Sequence, residues 1–172
     1  EGLPDGASFD TSTHIFSWRP NYDQAEGSPY SIIFTVTDTG NPVGVATKII
    51  SITINNVNRA PAFSPVGSQT VNEGTLLQFY VNATDYDGNA ITHSTGTMPP
   101  GASFNPATRL FSWMPDNTQA GTYPVTFYAD DNGTPSMQGR LDVVITVGDV
   151  PTPTEQINTI VDTVITAPVD QA

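Results

Sequence analysis

The chain carries the stretches Leu3-Pro-Asp-Gly-Ala-Ser-Phe9 and Phe16-Ser-Trp18, and it repeats them as Met98-Pro-Pro-Gly-Ala-Ser-Phe104 and Phe111-Ser-Trp113. The offset between the copies is 95 up to residue 25 and 93 beyond it, because the first copy holds two extra residues. A period of this length is the size of a domain and far longer than a solenoid turn. The repetition therefore predicts two copies of one module, an arrangement that more often spans distance and presents surfaces than builds one catalytic pocket.

Five segments rich in β-branched and aromatic residues predict strands, at 31–37, 48–54, 76–82, 123–129 and 141–147. Clusters of Asp, Asn, Gly and Pro between them predict turns. Short strands at this spacing, in a chain with 14 Gly and 15 Pro, predict an all-β sandwich. We interpret the two Phe-x-Trp pairs as core, the alternative being an exposed platform that stacks on sugar rings.

The repeat also predicts the domain organisation. Residues 1–60 are expected to be the C-terminal part of a first antiparallel sandwich, residues 61–150 a complete second one, and residues 151–172 a linker and tail. The second copy has a full stretch before its motif, whereas the first begins two residues ahead of it. Roughly the first third of domain one is thus expected to be missing, through biology or through an expression boundary, and the chain to be a piece of something longer.

The tail is ambiguous. Its aliphatic residues follow helical spacing, but nearly all of them are β-branched, which favours a strand; they are Ile157, Ile160, Val161, Val164 and Ile165. Both interpretations stay open. In either form these side chains require a partner surface for burial.

Composition excludes several classes of function. The chain has 5 Lys+Arg against 17 Asp+Glu, a net charge of −12 and a pI near 4.1, which disfavours nucleic acid and suits divalent cations or solubility outside a cell. There is no cysteine, and no apolar run approaches the ~18 residues of a membrane span. His14 and His93 are not equivalent in the two copies, and no catalytic motif is present, so we expect no enzyme.

Further strings carry a resemblance: Arg59-Ala-Pro-Ala-Phe63, Val71-Asn-Glu-Gly74, Ala83-Thr-Asp-Tyr-Asp-Gly88 and Ala129-Asp-Asp-Asn-Gly-Thr-Pro135. With the repeated motif they make residues 1–150 resemble the cadherin-like and immunoglobulin-like repeats of microbial surface proteins, the dystroglycan-type cadherin-like module above all. The resemblance implies an immunoglobulin/cadherin-like β-sandwich outside the cell or on its surface. It also implies a role in adhesion or as a spacer, with Ca²⁺ stiffening the domain junctions in some members.

The resemblance further implies which residues would hold Ca²⁺, an ion that takes six to eight oxygens. One set lies at the domain junction and comprises Asp85, Asp87, Asp131, Asn58 and Asn56; a second, at the far end, comprises Glu73 and Asp149. The family's acidic linker is Asn-Val-Asn-Arg here, so the guanidinium of Arg59 could pair with Asp85 or Asp87 instead. The alternative for these Asp residues is that they cap turns through hydrogen bonds to the backbone.

Three functions are consistent with these patterns. The first is a non-enzymatic adhesive or structural repeat whose partners are other copies of itself or other surface proteins. The others are a carbohydrate-binding module and a spacer of a secreted protein. A sharper hypothesis is that segment 158–166 of one subunit completes the first domain of the next, which would give a head-to-tail filament.

Overall fold

The computed structural model describes residues 2–151, which divide into two compact units, unit 1 up to Val57 and unit 2 from Asn58. The described residues form strands and one short 3-10 turn, so the all-β prediction is confirmed. No helix among residues 2–151 has the length and apolar character needed to cross a membrane. The predicted tail, 152–172, lies outside the described residues.

Unit 1 consists of two antiparallel hairpins. Its strands are β1 (Ala7–Asp10), β2 (Ile15–Trp18), β3 (Tyr30–Thr37) and β4 (Val45–Ile52), and the 3-10 turn spans Tyr22–Ala25. β1 pairs with β2, and β3 pairs with β4 over its full length. Asn21 and Gln24 begin the 3-10 turn with a reciprocal pair of side-chain-to-backbone hydrogen bonds, the capping box.

Unit 2 is a sandwich of two sheets and a short strand pair. Its strands are β5 (Ala62–Phe63), β6 (Gln69–Asn72), β7 (Leu77–Tyr80), β8 (Ala83–Thr84), β9 (Ile91–Thr95), β10 (Ser103–Asn105), β11 (Leu110–Trp113), β12 (Gly121–Asp131) and β13 (Gln138–Gly148). One sheet has the order β10-β11-β7, the other β6-β13-β12-β9, and β5 pairs with β8. All pairs are antiparallel except β6 with β13, which run parallel.

The core of unit 2 lies between the two sheets. β12 and β13 alternate buried and exposed side chains, as strands with one face against a core do. Phe127 is fully buried, and its ring meets those of Phe79, Phe104 and Phe111 at centroid distances of 6.1, 5.3 and 6.0 Å. Phe111 and Trp113 are buried too, so the interpretation of this Phe-x-Trp pair as core is confirmed.

The repeated motif builds the same hydrogen-bonded corner in both units. In unit 2 the indole of Trp113 donates to the carbonyl of Pro100, and the hydroxyl of Tyr123 donates to the carbonyl of Gln119. Unit 1 has the equivalent bonds at offsets of 95 and 93, from Trp18 to Asp5, at 3.1 Å, and from the Tyr30 hydroxyl to Gln24, at 2.9 Å. In each unit the Trp and Tyr rings meet edge to face.

Candidate functional site

The first predicted Ca²⁺ set gathers where unit 2 begins. Asn58 and Arg59, the first two residues of this unit, lie against loop 85–89 after β8 and loop 131–135 at the end of β12. The strands before these loops hold them in place, because Ala83 and Ala129 are buried. The structure thus brings together Asn58, Asp85, Asp87 and Asp131, while Asn56 belongs to unit 1.

Arg59 holds Asp87 with both its backbone and its side chain. The backbone N–H donates to Asp87 Oδ2 at 2.7 Å, while Nη2 and Nε donate to Oδ1 at 2.8 and 3.2 Å. Only 3% of the Asp87 side chain is exposed, against 24% of Arg59. Nη2 also donates to the carbonyl of Tyr86 at 3.0 Å, and the guanidinium carbon lies 5.4 Å from the centre of the Tyr86 ring. The carboxylate of this pair is desolvated, and charge-assisted hydrogen bonds of this kind are stronger than bonds between neutral groups.

Asp85 shapes the loop that presents Asp87. Its Oδ1 accepts from the backbone N–H groups of Asp87, at 2.8 Å, and Asn89, at 3.1 Å. These are the bonds of an Asx turn, the alternative that the sequence left open. The other oxygen, Oδ2, is buried and has no hydrogen-bond partner within the part of the chain that is described.

Asp131 is buried at the centre of its loop, with 5% of its surface exposed. Its Oδ1 accepts from the backbone of Gly133 and Met137, and its Oδ2 accepts from Asn58 Nδ2 at 2.8 Å. Burial acts to raise the pKa of Asp131, but the hydrogen bonds from Met137, Asn58 and Gly133 outweigh it and hold the pKa below its usual value. The negative charge of Asp87 acts in the same direction as burial.

Asp38, the counterpart of Asp131 in unit 1, makes the same bonds to its own loop. Its Oδ1 accepts from the backbone of Gly40 and Gly44, at 2.9 and 2.8 Å, and these bonds, that from Gly44 first, lower its pKa. The backbone part of the Asp131 arrangement therefore belongs to the turn of the module. What is added in unit 2 is the bond from Asn58.

The side-chain amides of Asn58 and Asn89 connect the two loops of the cluster. Asn89 was not identified as a site residue from the sequence. Asn58 Nδ2 donates to Asp131 and also to the carbonyl of Pro135, at 2.9 Å, while its Oδ1 accepts from Asn89 Nδ2 at 2.5 Å. Asn58 therefore bridges loop 85–89 and loop 131–135. The signal for Asn89 was its place in the string Asp85-Tyr-Asp-Gly-Asn89, four residues after the first Asp.

These oxygens do not fit a Ca²⁺ ion while Arg59 is in place. Six to eight oxygens would be required, yet both oxygens of Asp87 face Arg59 and both of Asp131 face N–H donors. Among the acidic residues of the cluster, this leaves Asp85 Oδ2 as the oxygen without a donor. Across residues 2–151 no group of three or more His, Cys, Asp or Glu side chains could hold a metal ion.

The second predicted set centres on Glu73, which is 5% exposed. Its Oε2 accepts from the backbone of Val150 at 3.1 Å, and its Oε1 is buried with no hydrogen-bond partner in the described residues. Asp149, the other member of this set, precedes Val150 and is exposed. A buried carboxylate oxygen without a donor is a position where a cation would be stabilising. The first set has such an oxygen too, Asp85 Oδ2, but there Arg59 already supplies a cation to the neighbouring Asp87.

The aromatic side chains that could stack on a sugar ring, the two Trp of the repeated motif together with Tyr22 and Tyr86, differ in exposure. Trp113 is 1% exposed and cannot stack on a ligand, and Trp18 is half-buried with its ring edge against Tyr30. Tyr86 is 70% exposed but already carries Arg59 over its ring. Tyr22, at 58% exposed, remains a candidate for a stacking contact.

Unit 1 has an open apolar face where unit 2 has a closed core. In unit 2, β7 pairs with β11, β9 with β12 and β6 with β13. The described residues of unit 1 contain counterparts of β10 to β13 but none of β6, β7 or β9. A groove of about 750 Å³ results, with Phe9, Phe34 and Val36 among its lining residues.

Equivalent residues show the difference directly. Val36 is 68% exposed, whereas Ala129 at the same place in unit 2 is 0% exposed. Ile50 is 44% exposed and its counterpart Val143 is 1% exposed. At these two positions, side chains that lie in the core of unit 2 are at the surface of unit 1, whereas Ile32, the counterpart of Val125, is buried in both units.

The family model described as Putative Ig domain matches residues 60–166 of the chain. Two similar relatives are both described as "Serine-rich adhesin for platelets" from Staphylococcus aureus. That of strain MRSA252 is 29% identical over 132 residues, 76% of this chain and 9% of the relative. That of strain USA300 is 28% identical over 126 residues, 72% of this chain and 5% of the relative. The chain thus spans less than a tenth of the length of these relatives.

Solved structures with a similar fold are cadherin domains. The extracellular cadherin domains 1–5 of protocadherin gamma B2 superpose with a TM-score of 0.58 at 22% identity, covering 87% of this chain and 32% of that one. Mouse cadherin-23 EC22–24 gives a TM-score of 0.55 at 23% identity, covering 86% and 51%. At this identity the likeness shows the fold alone, and it confirms the predicted immunoglobulin/cadherin-like sandwich.

Proposed function

The chain belongs to the Putative Ig domain family, and from that premise we propose that it is a non-enzymatic repeat of a surface adhesin, acting outside the cell as an adhesive and structural module. The observation that carries this proposal is the match of three quarters of the chain to repeats of adhesins. The proteins it resembles are adhesin and cadherin domains and not enzymes. The acidic surface is consistent with solubility outside a cell.

The adhesive partner in this proposal is another copy of the same chain. Unpaired strand edges and an apolar face invite the addition of a strand, and the open face of unit 1 has both. The donor would be the apolar segment 158–166 of a second subunit, which lies outside the described residues. Head-to-tail contacts that do not close into a ring give a filament, which is the assembly proposed for this chain.

Light scattering of the 172-residue chain tests self-association. We expect the mass to rise with concentration, and we expect deletion of residues 155–172 to leave a monomer. Ile50→Ser, on the face equivalent to the core of unit 2, should weaken association at least tenfold. Ile49→Ser is the matched control, since its counterpart Asp142 lies on the outer face of the sandwich. Unchanged assembly after the tail deletion would contradict the donor role of the tail.

Beads coated with the chain test adhesion itself. We expect coated beads to bind one another and a chain-coated surface, and uncoated beads to do neither. A platelet surface is included because the relatives are described as adhesins for platelets. Binding to glycans that Tyr22→Ala abolishes would favour the carbohydrate-binding alternative, and no attachment in any arm would favour a spacer.

We also propose that Ca²⁺ binds to unit 2 beside Glu73 and Asp149, and not at the cluster that holds Arg59. Support comes from the buried, donor-free Oε1 of Glu73 and from the neighbouring Asp149. Ca²⁺ should then raise the melting temperature of the chain, and Glu73→Gln should remove that effect. Asp130→Asn is the control, since Asp130 bonds to the Gln138 side chain and lies outside this end. A Ca²⁺ effect that survives Glu73→Gln would contradict this placement.

A further inference from the structure

The carboxylates at the start of unit 2 raise a separate question, namely what neutralises them. Asp87 has a side chain that is 3% exposed, and Asp131 is 5% exposed. Ionised groups at this depth are costly unless paired. We propose that the guanidinium of Arg59 is the built-in cation of this cluster, which makes the entry to unit 2 independent of divalent metal.

The first step of the argument is the geometry of Arg59. The planar guanidinium presents several N–H donors in a fixed arrangement and stays charged at any ordinary pH. Here two of its nitrogens reach Oδ1 of Asp87, and the backbone N–H of the same residue reaches Oδ2. A metal ion would have to displace a backbone bond as well as the side chain.

The second step concerns the other cationic side chains. The sequence has five Lys and Arg residues, of which Arg59, Arg109 and Arg140 lie in unit 2. Arg140 forms its ion pair with Asp142 on β13, where both side chains are more than half exposed. Arg109 precedes β11 and acts electrostatically on His93. Within the described part of unit 2, Arg59 is therefore the cation of this cluster.

The third step is the role of Tyr86. Its carbonyl accepts from Arg59 Nη2, and its ring lies under the guanidinium. A cation over an aromatic face is stabilised by the ring quadrupole. Arg59 is thus positioned from two sides within one loop, as expected for a structural cation and not for a chance surface pair.

The experiment measures thermal unfolding of the whole chain with millimolar CaCl2 or with EDTA. All variants also carry Glu73→Gln. Any effect of metal at Glu73, which belongs to the separate proposal made above, is thereby kept apart from an effect at the cluster of Arg59 and Asp87. With Arg59 present, the melting temperature should be the same in both buffers. Arg59→Gln should lower it by roughly 5–15 °C in EDTA, because a buried carboxylate loses its partner.

Calcium should then restore at least half of that loss, and Tb³⁺ should give luminescence sensitised by Tyr86 in the Arg59→Gln variant alone. Arg140→Gln, which removes an exposed Arg–Asp pair, is the matched control and should change neither readout. Arg59→Lys is the second variant, used should Arg59→Gln fail to fold. It keeps the charge, so its melting temperature should remain nearly the same in CaCl2 and in EDTA. The proposal is overturned if Ca²⁺ raises the melting temperature of the chain that keeps Arg59 and Asp87→Asn removes this rise. It is also overturned if Ca²⁺ does not raise the melting temperature of Arg59→Gln.

Discussion

Trp113 and Gln119 donate to the same acceptor, the carbonyl oxygen of Pro100, from Nε1 at 3.1 Å and from Nε2 at 3.0 Å. Gln119 also accepts from the backbone of Asp116 through its Oε1, at 2.8 Å. The side chain of Gln119 therefore joins the loop before β10 to the loop after β11. This corner fixes where the buried Trp113 ring enters the core.

We expect Gln119→Leu to lower the free energy of unfolding of unit 2 by about 1–2 kcal/mol, because two hydrogen bonds are lost together. Urea denaturation followed by tryptophan fluorescence measures the change. Gln78→Leu is the control, since Gln78 is exposed and its side chain reaches only Ser112 among the bonds seen, at 3.3 Å. Equal effects of the two variants would contradict a special role for this corner.

The ring of Phe127 should be far more costly to remove than that of Phe34, its counterpart in unit 1. Phe127→Ala leaves a cavity among three other rings, and we expect a loss of about 3–5 kcal/mol. Phe34→Ala should cost less than half of this, because Phe34 lines an open groove. The comparison is made by urea denaturation at low protein concentration. Equal costs would show that another segment covers Phe34 in solution.

Gly139 lies directly against the carbonyl of Pro61, where a Cβ atom would overlap with the carbonyl oxygen. We expect Gly139→Ala to destabilise unit 2 by about 1–3 kcal/mol through this overlap. The equivalent residue of unit 1 is Ala46, so the reverse change, Ala46→Gly, serves as the control and should cost no more than about 1 kcal/mol. Denaturation in urea checks both, and a neutral Gly139→Ala would show that Pro61 moves away freely.

Unit 2 should lose stability as the pH falls below about 6.5, the ordinary pKa of histidine. Burial, and to a lesser degree the charge of Arg109, lower the pKa of His93, whose Nε2 is buried without a partner in residues 2–151. Below pH 6.5 the unfolded chain binds a proton that the folded chain resists, so stability falls by at most about 1.4 kcal/mol per pH unit.

His93→Gln should flatten this part of the profile, measured as the free energy of unfolding at a series of pH values. His14→Gln, at an exposed turn, should leave the slope in place. A slope unchanged by His93→Gln would assign the effect to another group.

Asp131 should supply stability that is present above pH 3.8 and is lost in acid. Its folded pKa lies below the ordinary value, so the unfolded chain takes up a proton first and stability falls as the pH drops through the folded pKa. Asp131→Asn should therefore be less stable than the unmodified chain at neutral pH and similar to it in strong acid. Unfolding curves at both pH values measure this, and a constant difference would contradict the ionic explanation.

The long strands could be predicted from the sequence because their β-branched runs are continuous. The predicted segments 31–37, 123–129 and 141–147 lie within β3, β12 and β13. The remaining short strands were not among the predicted segments, because two to five residues give no measurable alternation and their pairing depends on neighbours distant in sequence; they are β1, β2, β5, β6, β8, β9, β10 and β11.

The candidate site was predictable in its members but not in its bonds. The Asp-x-Asp string identified Asp85 and Asp87, and the sequence could suggest that Arg59 pairs with one of them. Which of the two pairs with Arg59 depends on the orientation of the Asp85 side chain. Its Oδ1 accepts hydrogen bonds from the backbone of its own loop, and the geometry of that backbone sets this orientation. Asn58 and Asp131 lie 73 residues apart, so their bond could be expected only from the resemblance.

The parallel pairing of β6 with β13 has a mechanical consequence for unit 2. β6 lies near the start of the unit and β13 at its end, and the two strands point in the same direction. A pulling force on the two ends of the unit would load the hydrogen bonds between them in shear, all at once, and not one after another as in the opening of a zipper. The rate of unfolding under load would then be limited by simultaneous rupture of these bonds.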